Sequence, residues 1–442
     1  MSVWRYLALG YAFLILFGSF LLSLPIASTE GTWTPFVDAI FTATSATCVT
    51  GLTPFVTGGH WNLFGQIVIL CLVQTGGLGF MTIVSMLFMA FRSKGLGLYE
   101  RTAMIQSVGG NKYTSAGKLI KRILLGTLIF EGTGALLLMI RFVPEFGGKG
   151  VYYALFHAVS AFCNAGFDVV GLEGQSLSDY ACDPLVSLVI AALIMIGGLG
   201  FCVWGDVVDC RCNVRKMQFY TKMVLLGTAV LLMMGTLMFL LFEWNNPCYA
   251  EYGVGEKLLC SFFNSVTART AGFFTTPPET LSNSGTTLMI ILMFIGACSG
   301  STGGGVKVST FIVIIMGMFS VMRGKRDIEI GRRRVDQSLL GQALAIFVAY
   351  LSLVILATLL INAIEPDSVA SFEAVLFETV SAIGTVGLSM ALTSVLSAAS
   401  KCIIIMLMYL GRVGILTFAL ALLRRKKNEA AVRRPIENVF IG

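Results

Sequence analysis

Charge is what this chain has least of. Asp, Glu, Lys and Arg together make up 12% of its 442 residues, against 56% hydrophobic. Soluble domains carry about twice that charge, so a water-soluble globule is excluded. Histidine is nearly absent: His60 and His157 are the only two, with no nucleophile–base arrangement around them, which argues against a membrane-embedded enzyme. The first apolar run, Tyr6 to Ile26, lacks an Ala-x-Ala exit, so a cleavable leader is not expected. The eleven cysteines are scattered through apolar stretches and read as small hydrophobes rather than a disulfide framework. Cys210 and Cys212 have no second Cys or His pair to complete a zinc site, so no structural metal is expected.

Long apolar runs, by contrast, recur, and each is long enough to cross a bilayer. First spans fall at Tyr6–Leu24, Leu119–Val143, Met223–Phe242 and Leu339–Ile364, and second spans at Phe64–Phe91, Leu185–Val208, Leu288–Val321 and Cys402–Leu423. The net charge of +7 is concentrated in four places. Seven Lys/Arg lie between Arg92 and Arg122, four between Arg211 and Lys222, six between Arg323 and Arg334, and six between Arg424 and Arg434. The alternate connections, such as Leu24–Phe36 and Phe273–Thr286, have none. That asymmetry puts the basic segments and both termini in the cytoplasm, with lipid head groups rather than nucleic acid as the partner of the charge.

Between each pair of spans a phenylalanine is followed ten residues later by a glycine: Phe41/Gly51, Phe156/Gly166, Phe262/Gly272 and Phe377/Gly387. Three of these segments also carry Ser-Ala (Ser45-Ala46, Ser160-Ala161, Ser381-Ala382), and the glycines are 115, 106 and 115 residues apart. The expected fold is therefore all-α and membrane-integral. It has four pseudo-symmetric span–pore-loop–span repeats, with eight transmembrane helices and four re-entrant half-helices around a central pore. The divisions are 1–91, 92–208 with its preceding cytoplasmic loop, 209–322, 323–423, and a cytoplasmic tail 424–442.

Re-entrant backbone survives at membrane depth only where protein or a watery cavity surrounds it, so the four segments should meet on one axis. A dehydrated cation needs fixed oxygens in place of water, and backbone carbonyls supply them. Aiming successive carbonyls into a narrow passage takes dihedrals that glycine reaches freely. Thr50-Gly51, Ala165-Gly166, Ala271-Gly272 and Val386-Gly387 thus form a short candidate filter. The alternative is ordinary helix packing or C-capping. Asp168, with Glu173, Asp179 and Asp183, would make an acidic rim or a solvated loop. Arg269 reads as a structural group hydrogen-bonded behind the filter, and Glu131 and Glu378 as satisfied buried carboxyls rather than ligands of a conducted ion.

The second spans carry another motif. Gly76-Gly77-Leu78-Gly79-Phe80 recurs as Gly197-Gly198-Leu199-Gly200-Phe201, with Gly411-Arg412-Val413-Gly414 at the fourth position. The third has GACSGSTGGGVKVST, Gly296 to Thr310. So many glycines cannot hold a helix. A nucleotide loop is excluded because Val306 stands where the lysine is required and Lys307 comes one residue late. The stretch reads instead as an intramembrane gate formed by Ala297, Ser299, Gly300, Ser301, Thr302, Gly303, Gly304, Gly305 and Lys307. Arg412, eleven residues after Lys401 and twelve before Arg424, lies near the midplane and needs a partner, which the loop offers.

Four repeats with one filter glycine each, the CSGSTGGGVK loop and the GRVG arginine resemble the Trk/Ktr/HKT superfamily of potassium transporters, most of all its Ktr-type membrane subunit. The resemblance runs from about Trp4 to Leu423. It implies potassium uptake across the cell membrane, with K+ at Gly51, Gly166, Gly272 and Gly387, a gate at Ala297–Val306, and Arg412 as its electrostatic partner. Gly51, rather than serine, goes with potassium preference in that family. The resemblance also implies a homodimer on a cytoplasmic nucleotide-binding (RCK-type) ring, docked at Arg92–Arg122 and Arg323–Arg334. No cofactor is expected in this chain, and Na+ enters as a coupling or modulatory ion, or as the cargo of a weakly selective version.

Overall fold

The structure is a computed structural model, and it describes residues 3–79, 82, 116–170, 176–324, 327–330, 333–366, 368–415 and 418. Glu173, most of the Arg92–Arg122 segment and the basic tail lie outside the described residues. The described chain is almost wholly helical. In order it runs α1 (Val3–Ser23), α2 (Phe36–Cys48), α3 (Leu63–Leu78), α4 (Ala116–Phe146), α5 (Gly148–Phe162), α6 (Pro184–Gly198) and α7 (Phe201–Asp209). It continues with α8 (Phe219–Glu243), α9 (Val254–Thr267), α10 (Asn283–Phe294), α11 (Val308–Met322), strands β1 (Ile328–Ile330) and β2 (Arg333–Val335), α12 (Gln337–Ile364), α13 (Phe372–Gly384) and α14 (Ala398–Val413).

Among the described residues, three helices are long and apolar enough to cross a membrane: Ile120–Phe146, Phe219–Glu243 and Ser338–Ile364. Helices α6 and α7 count as a fourth only if read together, because they meet at a 94° bend. The bend departs from the sequence expectation of a continuous span over Leu185–Val208. Its cause is Gly200, whose φ of +94° is strongly disfavoured for residues with a side chain. Gly79 (+84°) and Gly414 (+86°) stop α3 and α14 in the same way. The segment from Ile295 to Lys307 separates α10 from α11, where the sequence placed its loop.

Four short helices, α2, α5, α9 and α13, are enclosed by the others, and their last turns are fully buried, from Ala43 to Cys48 in α2 for example. Helices α3, α6, α10 and α14 begin on polar caps. Asn62, Asp183, Ser282 and Ser397 each accept from an N–H of the first turn, so the ends satisfy their own free donors. Buried acids tie the long helices to these caps. Glu243, at the end of α8 and wholly buried, accepts from the Ser282 amide (3.2 Å), from Ser282 Oγ (2.6 Å) and from Asn246 Nδ2. Glu365 accepts from the Ser397 amide at 2.9 Å, and Lys401 pairs with Asp38 at 2.8 Å, joining α14 to the start of α2. Glu243→Ala leaves three donors unpaired. It should destabilise the protein by about 2–4 kcal/mol, with Glu243→Gln intermediate, read as melting in detergent. Equal melting of wild type and both variants would contradict this account of the clamp.

Within the basic stretch Arg323–Arg334, β1 pairs antiparallel with β2, Ile328 opposite Val335. Arg334 pairs with Asp327 at 3.0 Å, and Arg333 lies over the Phe219 ring at 5.8 Å.

Candidate ion pathway

The C-terminal ends of the four enclosed helices converge, and the chain leaves each in the same way. Val49, Asn164, Thr270 and Thr385 all have positive φ (58°, 59°, 66°, 52°), and two residues later Gly51, Gly166, Gly272 and Gly387 do too (98°, 69°, 82°, 94°). The four glycines come together in a closed ring that follows chain order. A Cβ on Gly51 would sit 2.5 Å from the Ala165 carbonyl oxygen, one on Gly166 2.7 Å from that of Ala271, and one on Gly272 2.7 Å from that of Val386. On Gly387 it would fall on the Thr50 carbonyl, closing the circle. Glycine is required here twice over, by its dihedral and by the room beside it.

The Ser-Ala pairs explain how the strained backbone is held. Ser45 Oγ accepts from the Gly51 amide (2.9 Å), and Ser381 Oγ accepts from the Gly387 amide (3.1 Å). Ser160 Oγ donates to the Phe167 carbonyl (2.9 Å), and in the third segment Thr267 donates to the Phe273 carbonyl. The amides of Thr50, Ala165 and Val386 bond back to the helices at 2.8 Å each. With the N–H groups turned into protein, the carbonyls of these residues are left in the ring. Four helix C-termini directed at one point add a negative potential there.

Outside the ring is an open vestibule of about 380 Å³, lined by the four glycines and by Asp168, Glu279, Ser389 and Thr393 among others. The expected acidic rim is only partly found. Asp168 lines the vestibule, but its Oδ1 is 2.7 Å from His157 Nε2. Asp183 is spent on capping α6 and on Arg141 (2.9 Å), and neither it nor Asp179 lines the vestibule. Glu279, which sequence reasoning passed over, does. His60 stacks on Phe55 of the vestibule wall at 4.1 Å, and burial holds its pKa below the ordinary histidine value, so it adds no positive charge at neutral pH. Glu131 accepts from Gln74 (3.2 Å) and Glu378 from Thr393, both behind the ring. Arg269 is buried, its Nε without a hydrogen-bond partner.

On the other side of the ring lies the loop. Its first half is pinned to the α6–α7 bend: the Cys298 amide donates to the Gly198 carbonyl (3.1 Å), and the Phe201 amide donates to the Gly300 carbonyl (2.9 Å). Ser299 Oγ is 3.1 Å from Ser309 Oγ, Ser301 Oγ donates to the Cys298 carbonyl (2.7 Å), and Ala297 accepts from the Val308 amide (3.3 Å). In the second half, Lys307 Nζ donates to the Gly303 carbonyl (2.7 Å), and the Gly304 amide donates to Thr385 Oγ1 (2.8 Å). Gly305 turns the chain at φ +71°. Arg412 donates to the carbonyls of Thr302 and Gly76, with Gly77 at 3.4 Å, so one guanidinium links the loop to α3. The link to α3 was not legible in the sequence.

The glycines near the ends of α3, α6 and α14 also find their reason. A Cβ on Gly76, Gly197 or Gly411 would fall on the carbonyl of Thr47, Phe162 or Ile383 respectively, each four residues before a ring glycine. Gly296, just after α10, meets the loop's own Gly304 carbonyl instead.

Apolar helices packed around a backbone ring below an open vestibule are the architecture of a helical membrane protein. The chain belongs to the TrkH family of cation transport proteins, whose model matches residues 13–432. It is 40% identical to the potassium/sodium uptake protein NtpJ of Enterococcus hirae over 439 residues, covering 99% of this chain and 96% of that protein. It is equally 40% identical, with the same coverage, to the Ktr system potassium uptake protein B of Bacillus subtilis. Its fold is similar to that of the crystal structure of the potassium transporter TrkH from Vibrio parahaemolyticus, with a TM-score of 0.72 at 18% identity, covering 94% of this chain and 84% of that one.

Proposed function

We propose that this chain is the membrane subunit of a potassium uptake system, built as four span–pore-loop–span repeats with both termini in the cytoplasm. Potassium ions enter the vestibule, exchange water for the carbonyls of Thr50, Ala165, Ala271 and Val386 at the ring, and pass when the Ala297–Val306 loop moves aside. The observation that carries this reading is the closed ring of four positive-φ glycines, each against the preceding carbonyl of its neighbour. Such a ring offers oxygens at fixed positions and no side chain to block it. Homodimerisation and a cytoplasmic RCK-type ring on the Arg92–Arg122 and Arg323–Arg334 segments complete the assembly. The names of the relatives, potassium uptake proteins, support the choice of ion. A sodium-permeable version is the second reading, favoured by the Enterococcus hirae relative being called a potassium/sodium uptake protein.

Expression in cells lacking their own potassium uptake, with and without a ring-forming partner, tests the assignment. Growth at low potassium and rubidium-86 uptake are expected, larger with the partner. Absence of both potassium and sodium uptake in every arm would overturn it.

A further inference from the structure

We propose that Asn164 is a positioning residue that couples the loop to the spacing of the glycine ring. The proposal rests on the ring and the loop acting as filter and gate. Of the four positive-φ residues that precede the ring glycines, three touch the loop segment Thr302–Gly304 through polar side chains, and two of these, Asn164 and Thr270, also bond to each other across two ring segments. Asn164 is fully buried. Its Oδ1 accepts from Thr302 Oγ1 at 3.1 Å, and its Nδ2 donates to Thr270 Oγ1 at 3.3 Å. One planar amide therefore joins the second ring segment, the third ring segment and the loop.

The amide has nowhere else to go. A Cβ on Gly197 would lie 2.8 Å from its Oδ1, so the glycine pair of α6 forms the notch that seats it. Thr302 is equally fixed. Its carbonyl is held by Arg412, and its amide reaches the Gly197 carbonyl at 3.4 Å. The loop cannot leave the ring without either breaking the Thr302–Asn164 bond or drawing the amide with it. Drawing the amide pulls on the backbone at Ala165–Gly166 and, through Thr270, at Ala271–Gly272. Those two glycines leave no slack: a Cβ on Gly166 would be 2.7 Å from both the Ala271 carbonyl oxygen and the Gly272 Cα, and one on Gly272 would be 2.9 Å from the Gly166 Cα. Release of the loop therefore loosens the ring at the Gly166–Gly272 junction, and flux and ion preference change together.

The test uses the purified full chain in liposomes, with rubidium-86 uptake measured against competing sodium. Asn164→Gly removes the amide without straining a φ of 59°. It should lower the rubidium-to-sodium ratio by roughly threefold or more and raise flux, the scale of one lost neutral hydrogen bond. Thr302→Val should move both in the same direction. Because both variants cut the same bond, the double variant should do no more than the larger single effect. An unchanged ratio in Asn164→Gly, or effects that multiply in the double variant, would overturn the coupling. Should Asn164→Gly fail to reach the membrane, Thr270→Val cuts the same amide from the third segment and carries the same expectation. Failure of the wild-type protein to take up either ion would instead count against the transport reading itself.

Discussion

Gly51→Ser is expected to abolish the preference for potassium over sodium while leaving a folded protein. Gly51 has a φ of +98°, and a Cβ there would stand 2.5 Å from the Ala165 carbonyl and 3.2 Å from the Gly387 Cα. Neither neighbour is a flexible side chain, so the ring must widen or the backbone must rotate. A left-handed backbone costs a residue with a side chain about 1–2 kcal/mol, which corresponds to roughly a tenfold change in an equilibrium. Discrimination between ions of one charge rests on oxygens held at fixed distances, and a ring opened on one side loses it. Competitive uptake of rubidium-86 and sodium-22 in liposomes reads the ratio directly. A ratio unaltered from wild type would count against the ring as the place where ions are chosen.

The second large effect is expected at Arg412. Its guanidinium donates to the carbonyls of Thr302 in the loop and Gly76 at the end of α3, with Gly77 as a weaker partner. Charge-assisted bonds of this kind contribute about 1.5–3 kcal/mol each. Arg412→Gln keeps a donor but loses the charge and the fork, so the population of displaced loop should rise by roughly tenfold or more. Maximal uptake should increase accordingly, with little change in apparent affinity. Lys307 still holds Gly303 and Gly304, which is why the variant should be leaky rather than unfolded. Arg412→Lys should fall between the two, since it restores charge without the fork. Uptake kinetics identical to wild type in Arg412→Gln would remove the loop from any gating role.

The glycine ring was legible in the sequence because its geometry tolerates one residue type, so the requirement was written four times at one offset. The loop was legible for a related reason: Gly296 to Gly305 is too rich in glycine for a helix, and it falls in a span too long to need all its residues. The residues that precede the ring glycines by two were not legible. Val49, Asn164, Thr270 and Thr385 share a dihedral but not one residue type, and a dihedral leaves no trace in composition. The α6–α7 bend was missed although its glycines were noticed, since Gly197 to Gly200 are compatible with either a packed helix or a break. The acidic rim was overread: Asp183 sits at a helix start, where capping claims its carboxylate, and no count of acids near a loop distinguishes a cap from a rim. Contacts between the ends of the chain, such as Arg412 with Gly76, come only from the folded arrangement.

The ring's closure has a consequence for how the protein is made. Three of its four junctions join segments that are neighbours along the chain, but the last joins Gly387 to Thr50. Arg412 likewise reaches back 336 residues to Gly76. A ribosome adding about 5–20 residues per second exposes the first segment many seconds before its final neighbour exists. During that interval the carbonyl of Thr50 lacks the Gly387 segment that closes against it. The pathway is thus assembled like an arch, whose last stone is α13 with the turn that follows it, and an incomplete chain has walls but no ring.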